Sequence, residues 1–383
     1  VARLPGKRRR WSLCPVPLGK KQLAVRVLAL ETSCDETAAA VVDDQGNVLS
    51  DVVHSQIAIH APYGGIIPEL ASRDHLRNAE YVVREALARA GIVDVGSVDG
   101  IAVTCRPGLV GALLVGVQVA KALAFATDLP LVGVDHLVGH LLAVRTIRPG
   151  STNAVPAYPY LALLVSGGHT ALYRVDGPLL TDIREIGATR DDAAGEAYDK
   201  TAKLLGLGYP GGPTIDRLAH EHEALAAGDR HDEEPFTLPM LRGFEFSFSG
   251  LKTQVAQRVA KQPEILKNPA RIAALCAAFQ EAMTRVLVQK LFLAAEAEDV
   301  TRVVIGGRVA ANRGLRARIL RVAKKRNVEA YLPDLASCTD NAAMIGYAGA
   351  MRLVRGERDT LALCAESRTS LPRTTRKGRG ERV

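Results

Sequence analysis

Two stretches of the chain share one pattern at a constant offset, and that duplication narrows the folds open to it. Residues 161–176 read LALLVSGGHTALYRVD: an apolar run, a small polar turn at Ser166-Gly167-Gly168-His169-Thr170, then a second half-apolar run. Residues 28–43 read LALETSCDETAAAVVD, 133 positions earlier. Leu28, Ala29, Leu30, Ser33, Thr37, Ala38, Val42 and Asp43 are matched by Leu161, Ala162, Leu163, Ser166, Thr170, Ala171, Val175 and Asp176. Such a unit reads as a β-hairpin, and its turn can offer backbone N–H groups to an anion. Two copies so far apart predict two related domains, each opening with the hairpin, facing each other across a cleft.

The 383 residues, 48% of them apolar, suffice for two cored domains. No apolar run is expected to reach transmembrane length, and no membrane is expected as a partner. The six cysteines are scattered without paired spacing, which points to a reducing compartment and against a cysteine-rich metal site. The 4% aromatic content argues against a base-stacking platform of the kind single-strand binders use. The net charge of +8 is a property of the ends. Residues 1–26 carry eight basic side chains and no acid, and residues 367–383 carry six against Glu381, so the body between them is net acidic. Both ends are expected to be solvated basic tails, the first a transit peptide, a tRNA-gripping arm or translated upstream sequence.

Strand-like and helix-like segments alternate along the body, which makes this an α/β protein. Helices are expected over residues 109–126, 191–205, 271–298, 312–326 and 342–354, and short buried strands over 101–104, 131–134, 303–305 and 328–332. Pro-rich residues 148–159 read as the linker between domains. A glycine-rich turn is expected over 206–213, with Asp216 starting the helix after it. Thr339 or Asp340 is the expected cap of the last helix.

His136 and His140 stand four apart at the end of a predicted strand. On a helix both imidazoles share a face and can bind one metal ion, with a carboxylate from elsewhere completing the set; Asp340 is the candidate. A metalloprotease would need glutamate directly after the first histidine, and position 137 is leucine. The glycine pairs at 167–168, 211–212 and 306–307 allow close backbone approach to a ligand and together favour a nucleotide-like one. Neither G-x-x-x-x-G-K-[ST] nor G-x-G-x-x-G is present, so P-loop and Rossmann binding are unsupported.

From Val27 to Arg355 the motifs ETSCDET, PYGGIIPELASRDH, PGLVGALLVG, H-L-x-G-H, LLVSGGHT, DDAAGEAYDKTAKLLGLGYPGGP, FSFSGLKT and CTDNAAMI follow one another in unbroken order. Together they resemble the TsaD family, the tRNA threonylcarbamoyladenosine transferases of the bacterial branch. The resemblance implies an α/β fold of two duplicated domains of the actin, Hsp70 and sugar-kinase type around a central cleft. Residues 27–150, completed by a C-terminal helix over about 340–366, would form one domain and 151–335 the other. It implies transfer of threonylcarbamoyl from threonylcarbamoyl-AMP to N6 of the adenosine 3′ of the anticodon, in tRNAs reading codons that begin with A. His136, His140 and Asp340 would bind iron or zinc. Leu164, Val165, Ser166, Gly167, Gly168, Asp199, Gly212, Asp216 and Asn312 would hold the adenylate, and Glu36 or His169 would take the N6 proton. The implied partners are a TsaB-like pseudo-homologue and a TsaE-like ATPase, in the cytoplasm.

The chain departs from that pattern at four places: Arg106 and Arg308 stand where glycine is expected, Val138 replaces glutamate, and Ala310 replaces serine. Were either glycine position to need a positive φ, arginine would cost roughly 1–2 kcal/mol. The departures motivate a second reading, a catalytically weakened relative that binds metal, tRNA or a partner. A metalloendopeptidase and a small-molecule kinase of the same fold are further alternatives.

Overall fold

The computed structural model of the protein describes residues 24–239 and 242–374. The outer parts of the two expected basic tails, 1–23 and 375–383, lie outside the described residues.

Ten strands form two sheets. The first holds β1 (Arg26–Glu31), β2 (Glu36–Asp43), β3 (Val48–Ser55), β4 (Gly100–Arg106) and β5 (Leu131–Asp135), in the order β3-β2-β1-β4-β5. The second holds β6 (Tyr160–Val165), β7 (Thr170–Val175), β8 (Ile183–Ala188), β9 (Arg302–Gly306) and β10 (Glu329–Tyr331), in the order β10-β9-β6-β7-β8. Read from its other edge, the second order repeats the first. In each sheet the hairpin strands are antiparallel and the first of them runs parallel to the fourth strand. The register repeats too. Leu28 pairs with Val41 and Leu161 with Arg174, so both members of the pair move by the same 133 positions. A one-residue slip would have turned every side chain to the opposite face, so the shared register reflects one buried pattern used twice.

The helices are α1 (Ile57–His60), α2 (Pro68–Arg89), α3 (Val110–Thr127), α4 (His136–Leu142), α5 (Ala194–Leu204), α6 (Gly211–Ala224), α7 (Ser249–Lys261), α8 (Pro269–Ala297), α9 (Arg313–Arg326), α10 (Leu335–Cys338) and α11 (Ala342–Val354). With the first sheet, α1–α4 and α11 make one lobe; with the second, α5–α9 make the other. Helices α2 and α3 cover one face of the first sheet. The last helix returns to its opposite face, against β1, β2, β4 and β5. It comes close because it is built of small residues: a Cβ on Gly349 would stand 2.4 Å from Ala102 Cβ. Residues of β1, β2, β6, β7, α4 and α11 then share one apolar core between the two sheets. That core joins the lobes, and each large side chain removed from water there contributes about 1.5–3 kcal/mol.

Four expectations need correction. The cap of α11 is Asn341, whose side chain accepts from Met344 N at 3.0 Å; Asp340 is thereby left free for other partners. Helix α6 begins at Gly211, five residues before Asp216, because Asp199 accepts its Gly211 N–H at 2.8 Å. The segment 369–374 is not a solvated tail: Asp135 accepts from Thr369 Oγ1 and Ser370 N, Leu371 is buried, and Thr374 bonds Glu185. Finally, α3 is long and apolar enough to cross a membrane by length and composition, but it lies against α2 and β4.

Candidate functional site: a His-His-Asp triad at a phosphate-friendly cleft

Strand β5 ends at Asp135, whose carboxylate caps α4 by accepting from Leu137 N at 3.0 Å. The cap fixes the start of α4, so His136 and His140 fall one turn apart with ring centroids 4.6 Å from each other. Asp340, released from capping, presents Oδ1 to both, at 3.0 Å from His140 Nε2 and 3.7 Å from His136 Nε2. The other nitrogen of His136, Nδ1, lies 3.1 Å from Glu31 Oε2 and 3.2 Å from Ser33 Oγ. Glu31 is fully buried and also accepts from Ser33 N and Thr104 Oγ1. A carboxylate on Nδ1 holds the proton there and leaves Nε2 as the ligand nitrogen, the arrangement typical of metal-binding histidines.

The donor set fits a divalent transition metal. Two imidazole nitrogens and one carboxylate oxygen lie within 4.8 Å of one another, and the buried Nδ1 of His140 has no hydrogen-bond partner. Burial, reinforced by His136, pushes the His140 pKa down, which keeps it neutral as a ligand must be. Burial acts the same way on His136, but the charges of Glu31 and Asp340 outweigh it and push the group up to about 9. Asp340 is held well below the usual carboxylate range; His136, then the His140 hydrogen bond, overcome its burial. The same field that retains a proton on His136 favours a cation there.

A cleft of about 780 Å³ opens beside this triad, within the range of small-ligand sites. Its walls come from both lobes. The turn after β1 gives Ser33, Cys34 and Asp35, and the matching turn after β6 gives Ser166, Gly167, Gly168 and His169. The duplicated hairpins thus meet across it. Three helices also bring their first turns to its walls: α5 at Gly195 and Glu196, α6 at Gly212 and Pro213, α9 at Arg313. Their dipoles put positive partial charge on the wall, although Gly195, Gly211 and Arg313 already donate their N–H groups to Ser166 O, Asp199 and Asp216, so the cleft suits a phosphate or another anion.

The expected ligand residues divide. Ser166, Gly167, Gly168, Asp199, Gly212, Asp216 and Asn312 line the cleft. Leu164 and Val165 lie inside β6 with their side chains fully in the core, and do not. Asn312 caps α9, accepting from Leu315 N at 2.8 Å and donating to Gln280 Oε1 at 2.6 Å. Asp216 accepts from Arg313 N and Nε. His169 is on the cleft wall; Glu36 is buried behind it, 2.5 Å from Arg308 Nη2. Burial, then the Asp340 charge, push the Glu36 carboxyl up against the pull of Arg308.

Neither arginine departure is strained. Among the described residues the only non-glycine residues at positive φ are Asp128, Asp299 and Asn327. The demanding position is Gly307, at φ +85. Arg106 points away from the metal triad, to Glu366 and Ser370. Sequence reasoning passed over Glu31 and Asp35. The first carried a signal, a carboxylate ending an otherwise apolar strand; the second had none beyond its place in the turn.

A model of the TsaD family, described as tRNA N6-adenosine threonylcarbamoyltransferase, matches residues 47–347. A tRNA N6-adenosine threonylcarbamoyltransferase of Sorangium cellulosum is 61% identical over 362 residues, covering 94% of this chain and all of its own length. That of Trichlorobacter lovleyi is 51% identical, over 91% of this chain and 98% of its own. Among solved structures, full-length HypF in a phosphate- and nucleotide-bound form superposes on 87% of this chain and 47% of its own, with a TM-score of 0.56 at 12% identity. HypF from T. kodakarensis gives 0.53 over 88% and 50%. At such identities these two speak for the fold alone, that of the actin and sugar-kinase group.

Proposed function

The chain belongs to the TsaD family, and from that premise we propose how its cleft carries out the family's reaction. It is a transferase that places a threonylcarbamoyl group on N6 of an adenosine in tRNA. The donor is threonylcarbamoyl-AMP, and the acceptor is the adenosine 3′ of the anticodon in tRNAs reading codons that begin with A. The observation that carries this reading is the meeting of the His136–His140–Asp340 triad with a cleft that three helix N-termini and a glycine turn make favourable to a phosphate.

In the transfer a bond forms between N6 and the carbamoyl carbon, the bond from that carbon to the phosphate oxygen breaks, and AMP leaves with the electron pair. His136, His140 and Asp340 would hold iron or zinc, which when bound would supply Lewis acidity toward the mixed carbamoyl-phosphate group. The rest falls to the chain. The N–H groups of Gly167 and Gly168 and the first turns of α5, α6 and α9 stabilise the charge gathering on the leaving phosphate. Asp199 and Asp216 orient the nucleoside end. His169, on the wall, takes the N6 proton; Glu36 is the poorer base, because burial and Asp340 favour its protonated form.

The domains follow the two sheets: residues 27–150 with α11 form one, residues 151–335 the other. The TsaB-like partner is proposed to dock on the outer face of α2 and α3, where Leu76, Tyr81, Val110, Leu114 and Phe125 are exposed. A TsaE-like ATPase completes the set, in the cytoplasm where tRNA is modified. The test is AMP release by the purified chain with these partners, tRNA and donor. Release that needs both tRNA and bound metal, and is lost in Asp340→Ala, supports the reading; metal-stripped protein turning over at the full rate refutes it.

A further inference from the structure

Many apolar contacts join the lobes, and an ion-pair cluster joins them too. Arg308, on the turn after β9 of the second lobe, places Nη2 2.5 Å from Glu36 Oε1 and 3.4 Å from Asp35 Oδ1, both on the first lobe's duplicated turn. The two carboxylates are 1% and 4% exposed, and each keeps one buried oxygen, Asp35 Oδ2 and Glu36 Oε2, without a hydrogen-bond partner. Oxygens of Asp35, Glu36 and Asp340 lie within 4.8 Å of one another. Carboxyl groups this close, even with Glu36 favouring its protonated form, are held together only against a fixed cation, and the guanidinium is that cation.

We infer that Arg308 is a positioning residue for the transfer: its guanidinium ties the second lobe to Asp35 and Glu36 and holds the first lobe's turn beside Asp340 at one fixed separation. The inference rests on the transferase reading and adds to it a residue on the cleft wall whose guanidinium acts through Asp35 and Glu36. Arginine suits the task because its planar, permanently charged group can serve two carboxylates at once. Without it the Asp35–Glu36 turn is pushed from Asp340. The donor, gripped between the two duplicated turns, is then misaligned rather than merely weakly bound, and misplacement of about 1 Å costs on the order of a hundredfold in rate.

The experiment compares Arg308→Met, Arg308→Lys and Arg308→Gly with the unmodified chain, in complex with the same partners. Metal content, donor KM, kcat and backbone hydrogen exchange over residues 32–36 are measured. Arg308→Met is expected to lose about a hundredfold in kcat with little change in KM or metal content. Exchange at the turn rises several-fold. Arg308→Lys recovers about a tenth of the activity, and millimolar guanidinium ion partly restores Arg308→Gly. A fold-only role is moved by neither rescue. Arg308→Met with kcat within threefold of the unmodified chain, or with unchanged exchange over 32–36, overturns the inference. The exchange is read without substrate, so an unmodified chain that transfers nothing sinks the transferase reading while exchange still decides whether Arg308 holds the turn.

Discussion

Gly307 is the position at which fold and site are most tightly joined, and Gly307→Ala tests that junction. Its backbone sits at φ +85, ψ 167, a region only glycine populates, so alanine costs about 1–3 kcal/mol from torsion alone. The added Cβ would stand 2.5 Å from Val165 O and 2.9 Å from Val165 C. Those are backbone atoms of β6, held by the pairing of Val165 with Thr170, and they cannot turn aside as a side chain would. Overpacking against such atoms adds a further ~1–3 kcal/mol. The sum, around 4 kcal/mol, corresponds to a fall in Tm on the order of 10 °C. Gly212→Ala is the control: it too lines the cleft, but its Cβ would meet nothing nearer than Tyr198 Cβ at 3.9 Å. Thermal and urea unfolding followed by circular dichroism should show Gly307→Ala several kcal/mol less stable and Gly212→Ala nearly unchanged. A Gly307→Ala loss below about 1 kcal/mol, or a larger loss in the control, would refute the reasoning.

Gly168→Ala should leave the melting temperature alone, since its Cβ meets no protein atom within 4 Å, and should raise donor KM roughly tenfold by crowding one charge-assisted N–H contact; a normal KM would remove the glycine turn from the binding site. Glu31→Gln should weaken metal binding about 10–100-fold, read by chelator competition, because His136 loses the carboxylate that fixes its tautomer. Asp191 sets an acid limit. Burial raises its pKa, but bonds from Ser247 Oγ, Phe248 N and Ser249 outweigh this and hold it below the usual range. A depressed folded pKa contributes stability that is present above the unfolded value of about 4 and is lost as pH falls through the folded one. Asp191→Asn should therefore flatten the stability–pH curve below about pH 4 and leave its slope near neutrality unchanged; an unaltered acid limb would contradict the assignment.

The duplicated hairpin was legible because strand periodicity and turn composition are local, and both copies carry them in full. The offset of 133 recurs in the strand register of the two sheets. His136 and His140 were legible as a pair for the same reason, four apart on one helix. What the chain order hides is what it brings together from afar. Glu31 reaches His136 across 105 positions, and Arg308 reaches Glu36 across 272. Neither distance leaves a mark in local pattern, so Arg308 registered only as a departure from a glycine and its ion pair was invisible. Caps misled for a different reason. Thr339, Asp340 and Asn341 all favour the N-cap, and only the backbone shows that Asn341 takes it. The C-terminal segment misled because its basic composition masks Leu371 and the hydroxyls of Thr369 and Thr374, the groups that dock it.

The most direct test of the account is mass spectrometry of the nucleosides of an unmodified tRNA incubated with the chain, its partner proteins, metal and threonylcarbamoyl-AMP. The account predicts threonylcarbamoyladenosine 3′ of the anticodon, and none when His136→Ala replaces the unmodified chain. Absence of the nucleoside with metal bound and partners present, or its formation at the full rate by His136→Ala, would contradict it.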